Sequence, residues 1–207
     1  MSVMSLRSAV CACTLLVASF ASHAGLIVNG DFESHTLNKN SWTWLSSSQF
    51  DGWQGSNIEI WHALQGVEAV SGNHFIELNA DGGNSGDWSI FQSFATEIGQ
   101  HYQLDFYYRA RTGNNEQFQV SVADIDWLLN DHSSAGWTQF SNSFIATGNS
   151  TTLRFTSKNP GTYGNFIDAV QVSAVPVISQ VPEPATLAAF GLGLIGLLAG
   201  RRLRQPK

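Results

Sequence analysis

The sequence predicts an all-β domain, an antiparallel β-sandwich of the jelly-roll kind, flanked by two apolar terminal helices. No central stretch shows helical periodicity over about 11 residues, whereas alternation of apolar and polar residues recurs. Clusters of Gly, Asn, Asp and Ser separate the alternating stretches, as is typical of turns. About eight or nine short strands at this spacing indicate a sandwich rather than a barrel or a propeller.

The clearest strand is "YQLDFYYRA", residues 102–110. Its apolar and polar residues alternate, which predicts a half-buried antiparallel strand. One face carries Tyr102, Leu104, Phe106 and Tyr108, and the other carries Gln103, Asp105 and Arg109. The segment "FQVSV" at 118–122 repeats the pattern. Further strands are predicted near 27 and from 57, 74, 88, 137, 151 and 165.

Residues 1–24 have the features of a secretory signal peptide. A single charge, Arg7, precedes an apolar run from 9 to 20, and Ser22-His23-Ala24 offers small residues for cleavage after Ala24. Both cysteines of the chain lie inside this segment. The exported domain therefore has no disulfide and must rely on its core, with or without a metal.

The part between the terminal segments, 25–183, is strongly acidic. It keeps five of the ten Lys and Arg residues and all sixteen Asp and Glu residues, which gives a formal charge of −11. Such a balance repels nucleic acid and anionic lipid surfaces, and it suits divalent cations or neutral glycans. We expect no nucleic-acid partner.

The chain ends in an apolar segment between a proline-rich motif and a basic tail. Residues 187–200 carry no charge, and 14 residues of helix span roughly 21 Å against the roughly 30 Å of a bilayer core. A core helix, a short membrane helix and a sorting signal are the alternatives. The flanking residues favour the last one: Pro182, Glu183, Pro184, Arg201 and Arg202.

The order "VPEPATLAAFGLGLIGLLAGRR" resembles the PEP-CTERM sorting signal of Gram-negative bacteria. This resemblance implies processing by an exosortase while the protein crosses the inner membrane, and delivery to the cell envelope, the outer surface or the extracellular matrix. It does not decide whether the tail is cleaved. The predicted organisation is a signal peptide (1–24), a β-sandwich domain (25–175), a linker with the motif (176–184) and a hydrophobic sorting or anchor helix (185–207).

The central domain is similar to the galactose-binding-domain-like jelly rolls, a group that includes carbohydrate-binding modules. Several segments carry the resemblance in order, among them "LIVNGDFES", "SGNHFIELN", "GQHYQLDFYYRAR" and "GNFIDAVQVS". The resemblance implies a structural Ca²⁺ between the N-terminal segment and the last strand, with Asp31, Glu33 and Asp168 at the matching positions. Asp168 lies between apolar neighbours and needs a partner. Alternatively, it pairs with Arg109 or Arg154, or it caps a turn.

The tryptophans are candidates for sugar binding, because a flat apolar ring stacks on the face of a sugar ring. Trp53, Trp61 and Trp137 are interpreted as packing residues. The candidates for stacking lie in polar or glycine-rich surroundings: Trp42, Trp44, Trp88 and Trp127. Filling the ends of the sandwich is the alternative role for these four.

Catalytic motifs are absent from the sequence. It has no GxSxG, no HExxH and no cysteine outside the signal peptide. We therefore expect an exported, non-catalytic surface or matrix protein that binds polysaccharide, specifically an exopolysaccharide. The alternatives are a structural adhesion protein without sugar binding and, third, a glycan hydrolase with two carboxyl groups roughly 5–9 Å apart across a groove.

Overall fold

The computed structural model describes residues 25–80, 88–113, 116–131, 133–158 and 161–176. The predicted signal helix, the sorting motif with its prolines and arginines, and the hydrophobic C-terminal helix lie outside these residues. Within them, no helix has the length and apolar character needed to cross a bilayer.

The described residues form eleven β-strands in two antiparallel sheets, and the all-β sandwich is confirmed. Two short 3-10 turns, Ser47–Gln49 and Leu64–Gly66, are the only helical segments in this part of the chain. The strands are β1 (Ser41–Leu45), β2 (Gln54–Gly55), β3 (Ile58–His62), β4 (Phe75–Glu77), β5 (Ser89–Ala95), β6 (His101–Ala110), β7 (Phe118–Val122), β8 (Ile125–Leu129), β9 (Thr138–Ile145), β10 (Ser150–Ser157) and β11 (Asn165–Ala174).

One sheet has six strands in the order β1-β3-β4-β11-β6-β9, and the other has five in the order β2-β5-β10-β7-β8. The main core lies between the sheets and is rich in aromatic rings. Phe106 of β6 meets Phe155 of β10 edge to face, with 5.1 Å between the ring centroids. The predicted alternation of β6 is confirmed, since its even-numbered residues from Tyr102 to Ala110 are buried.

The strand predicted near residue 27 is wrong. This segment forms turns, because Asn29 and Phe32 have positive φ angles of 52° and 57°, which a strand does not allow. It is nevertheless attached to β11: the Leu26 N–H donates to the Val172 carbonyl, at 3.0 Å. The strands predicted from the sequence also do not include β1, β2 and β8, each of which has five residues or fewer.

A second, smaller apolar cluster lies on the outer face of the six-stranded sheet. Trp61, Phe75 and Phe166 come from the adjacent strands β3, β4 and β11, and Val67 comes from the segment that joins β3 to β4. Because this cluster lies against the outer face, the connecting segment 63–74 folds back over the sheet rather than into solvent. It thereby forms a rim beside the edge strand β1.

Candidate functional site

A pocket of about 180 Å³ opens on the outer face of the six-stranded sheet. Its walls come from β1, β3, the segment after β3, the residue that follows β6 and the residues that precede β11. Three aromatic rings stand among polar groups in this lining. The lining residues are Trp42, Glu59, Trp61, Leu64, Gln65, Arg111, Thr162 and Tyr163.

Two of the pocket's aromatic rings are accessible to a ligand. Trp42 is 42% exposed and Tyr163 is 54% exposed. The Trp42 ring lies on Trp61 of the neighbouring strand, with 6.5 Å between centroids and 25° between planes. Trp44, two residues further along β1 and 49% exposed, points to the same side of the sheet. The two exposed indoles therefore form a row along the edge strand, which we call the tryptophan row.

Two buried glutamates, Glu59 and Glu77, lie under the pocket as direct cross-strand neighbours on β3 and β4. The Trp61 Nε1–H donates to Glu59 Oε1 at 2.7 Å, and the Gly164 N–H donates to Glu77 Oε1 at 2.9 Å. A hydrogen bond also joins the two carboxyl side chains. Burial, and then the neighbouring Glu59 carboxylate, raise the pKa of Glu77 to about 9. The Glu77 carboxyl therefore keeps its proton at neutral pH.

Arg111, directly after β6, supplies the positive charge beside this pair. Its Nη1 lies 2.9 Å and 3.1 Å from the two carboxylate oxygens of Glu77. The guanidinium also lies over the rings of Tyr163 and Trp61, at 4.2 Å and 4.8 Å from their centroids. These contacts hold Tyr163 and Arg111 in place at the pocket wall. The attraction of Arg111 and the Gly164 hydrogen bond lower the pKa of Glu77, but burial outweighs both.

The segment after β3, which lines the pocket, has an unusual backbone. Ala63 and Gln65 adopt positive φ angles of 49° and 56°, a region that residues with a side chain rarely occupy. Gln65 lines the pocket. Strained backbone of this kind persists only where the surrounding structure holds it, and it is concentrated at binding and catalytic sites.

Residues 25–173 match the family described as "Protein of unknown function (DUF642)". The chain belongs to the DUF642 family. Residues 180–204 separately match the PEP-CTERM protein-sorting motif, which confirms the prediction from the tail. The motif implies processing by an exosortase and export to the cell envelope or surface. No curated protein matches the chain.

Several solved structures are similar to this DUF642 domain, each with a TM-score below 0.5. A CBM4 structure has a TM-score of 0.46 and 17% identity, and the match covers 72% of this chain and 99% of that one. TmCBM61 in complex with β-1,4-galactotriose has a TM-score of 0.48 and 13% identity, over 73% and 99% of the two chains. A family 35 carbohydrate-binding module from Clostridium thermocellum has a TM-score of 0.40 and 16% identity, over 64% and 97%. We draw no conclusion about this chain's ligand from similarities this distant.

The structure separates the four tryptophans predicted to stack on sugars. Trp42 and Trp44 are exposed on the tryptophan row of the DUF642 domain. Trp88 does not fit the prediction, because it is 6% exposed in the main core and its Nε1–H donates to the Asn57 carbonyl at 2.8 Å. Trp127 is half-buried on the opposite sheet, where it meets Phe140 edge to face at 5.3 Å. A stacking role for Trp42, Trp44 and Trp127 stays a prediction.

Two of the three residues predicted to hold calcium, Glu33 and Asp168, contact the loop at 70–74. Asp168 is buried, and its Oδ2 accepts the N–H groups of Val70 and Ser71 at 2.6 Å and 2.9 Å. Burial is the main cause that raises the pKa of Asp168 to about 7. Glu33 Oε1 accepts the N–H groups of Asn73 and His74, at 2.6 Å and 2.7 Å.

This arrangement differs from the predicted calcium site, in which the loop would offer carbonyl oxygens. Here the loop instead points its N–H groups at the two carboxylates. N–H groups donate hydrogen bonds to anions and cannot coordinate a cation. Asp31 is exposed, and no three Asp, Glu, His or Cys side chains of the described part converge as a metal site requires. Of the earlier alternatives, capping of a turn by Asp168 matches the observed contacts. Calcium binding itself stays a prediction.

The candidate site residues that sequence analysis missed are Glu59, Glu77, Arg111 and Tyr163. A signal for the two acids was present. Glu59 lies between Ile58 and Ile60, and Glu77 lies between Ile76 and Leu78, the same apolar setting that drew attention to Asp168. No comparable signal marks Arg111 or Tyr163, which lie in turn-rich segments.

Proposed function

We propose that this protein is an exported, non-catalytic polysaccharide-binding protein whose ligand is an exopolysaccharide at the envelope of a Gram-negative bacterium. The observation that carries the proposal is the pair of exposed rings, Trp42 and Tyr163, at a pocket with polar groups in its floor. Flat apolar rings beside a few well-placed polar groups are the usual means of holding an amphipathic ligand.

The dimensions of the site favour a chain-like ligand. A volume of about 180 Å³ is below the range of pockets that enclose a drug-sized molecule, roughly 300–1,000 Å³. A polysaccharide would therefore insert one unit and lay its neighbours across the surface. The tryptophan row supplies that surface, since Trp44 continues the line of Trp42 along β1. Thr162 and Gln65 add a hydroxyl and an amide for sugar hydroxyls.

The carboxyl groups of the pocket argue against hydrolysis. A glycoside hydrolase needs two carboxyl groups on either side of the scissile bond, roughly 5–9 Å apart. Glu59 and Glu77 are instead joined by a hydrogen bond on adjacent strands, so both lie on one side of any ligand in the pocket. A structural adhesion protein without sugar binding would have no use for exposed rings at a pocket, which favours the binding function.

The first test is the substitution Trp42→Ala, which we expect to weaken binding to a bacterial exopolysaccharide at least about tenfold. Losing the buried apolar area of one indole is worth more than the 1.4 kcal/mol that this factor requires. Binding is measured by isothermal titration with the exported protein in a non-denaturing detergent. Leu128→Ala is the matched control, because Leu128 is 56% exposed on the five-stranded sheet.

Unchanged affinity in the Trp42→Ala protein would show that the pocket is not the binding site. If no polysaccharide in a broad panel binds the wild-type protein, the structural adhesion alternative replaces the proposal.

A further inference from the structure

We infer that the pocket selects a polysaccharide with amino sugars, whose ammonium group binds at the buried, adjacent carboxyl groups of Glu59 and Glu77. This inference rests on the proposed function, because it names the ligand class of the same site. It is carried by the charges and contacts at the pocket floor.

The pocket has one more acidic group than basic groups. Its ionisable groups come from each element that packs around Glu59: Glu77 from β4, Arg111 after β6 and Tyr163 before β11. The strand on the other side, β1, contributes only tryptophans to this face. Arg111 forms an ion pair with Glu77, with its Nη1 at 2.9 Å and 3.1 Å from the two carboxylate oxygens. Glu59 is the acid that lines the open space.

The hydrogen bond between the two carboxyl groups requires a proton, since two carboxylates repel each other. The buried pair thus keeps a proton in place of a second negative charge. A cation that reaches Glu59 from the open side removes the need for this proton. An ammonium group also donates the hydrogen bond that a carboxylate forms most strongly.

The exchange balances in protons and charge. A ligand that arrives as R–NH3⁺ donates to Glu59, and the pair releases its proton to the solvent. A ligand that arrives as R–NH2 takes the proton of the pair directly and becomes R–NH3⁺ in the pocket. In both cases the ammonium group of the ligand takes the place of the proton between the two carboxyl groups.

Other polysaccharide classes fit the floor less well. A uronic acid would bring a third carboxyl group to the buried pair, in a domain segment whose formal charge is already −11 from five basic and sixteen acidic residues. A neutral sugar can stack on Trp42 but leaves the proton of the pair where it is. The order of affinity is therefore amino sugar, then neutral sugar, then uronic acid.

The test uses three β-1,4-linked pentasaccharides, built from glucosamine, N-acetylglucosamine or glucose. They differ only in the group on C2 of each sugar unit, which is an amine, an acetamide or a hydroxyl. Titration calorimetry of the exported protein at pH 6 is run in two buffers with different ionisation enthalpies. We expect the glucosamine oligomer to bind at least about tenfold more tightly than the other two, the equivalent of one charge-assisted hydrogen bond. We also expect close to one proton to be released on its binding alone.

Two variants locate the effect. Glu59→Gln should lose both the preference and the proton release, and its circular dichroism spectrum and melting temperature show whether it folds. Glu68→Gln removes an exposed carboxylate, in a side chain that is 71% accessible, and should keep both. If Glu59→Gln does not fold, proton release by the wild-type protein decides, because exposed carboxylates are already ionised at pH 6 and release none.

Equal affinity for the three oligomers would overturn the inference and leave the proposed function standing. Glucosamine preference without proton release, or equal losses in the two variants, would also overturn it, by showing attraction to the acidic surface in general. No binding of any polysaccharide would remove the proposed function as well.

Discussion

Replacing Gly164 with alanine is expected to lower the free energy of unfolding by about 3 kcal/mol or more. A Cβ at this position would lie 1.9 Å from the Leu78 carbonyl oxygen, which belongs to the backbone and cannot rotate away. The Leu78 N–H in turn donates to the Asn165 carbonyl at 2.9 Å, so the two segments are held together on both sides. Relief of the clash would separate the start of β11 from β4 and move Tyr163.

Thermal and denaturant unfolding of the Gly164→Ala protein measure this loss. Gly136→Ala is the matched control, because a Cβ there meets no atom within 4 Å. It should unfold within about 0.5 kcal/mol of the wild type. A Gly164→Ala protein as stable as this control would contradict the close approach of Gly164 to the Leu78 carbonyl.

The domain is also expected to become less stable as the pH rises, by about 2 kcal/mol between pH 7 and pH 9. Burial raises the pKa of Glu77 from 4.5 to about 9, so the folded state binds a proton that the unfolded state has already lost in this window. Each pH unit then costs up to about 1.4 kcal/mol. The pKa of Asp168, raised to about 7, adds to the fall at lower pH, between about 4 and 7.

Melting curves at pH 5, 7 and 9 test this expectation, which corresponds to a fall of about 6 °C over the last interval. Glu77→Gln should flatten that interval, because the glutamine does not titrate. Glu68→Gln, which removes an exposed carboxylate, should keep the wild-type slope. A wild-type melting temperature that is constant from pH 7 to 9 would mean that Arg111 keeps Glu77 ionised.

The sandwich itself was predictable because one face of each long strand is buried. The alternation in β6 and β7 follows directly from this burial, and both strands were recognised from sequence. Strand β1 escaped recognition because it is a short edge strand in a serine-rich segment, with no buried residue in its pattern. A strand that contributes little to the core leaves little trace in hydrophobic periodicity.

The candidate site was only partly predictable, because it depends on strand register. Trp42 and Trp44 attracted attention as residues, but nothing in the sequence places Trp42 beside Trp61 or Glu59 beside Glu77. Those contacts exist because β1, β3 and β4 pair in one particular alignment. Register between strands that are distant along the chain reflects the whole core rather than any local motif.

For Asp168, local sequence predicts the burial of the carboxylate but not its hydrogen-bond partners. The sequence predicted that this carboxylate is buried and in need of partners, and the structure has it buried. Its partners are backbone N–H groups of a loop almost a hundred residues earlier in the chain. Backbone donors are present at nearly every residue, so sequence alone does not identify which of them meets a given acid.

Strand β11 sets where the site stands relative to the sorting tail. The tail follows the end of this strand after Ala174, where the N-terminal segment is also attached through Leu26, whereas Tyr163 and the pocket lie at its beginning. A strand of ten residues is about 30 Å long. If the protein is tethered through its tail, the pocket would therefore lie at the end of the domain away from the point of attachment. The length of the strand would then separate the bound ligand from the anchor.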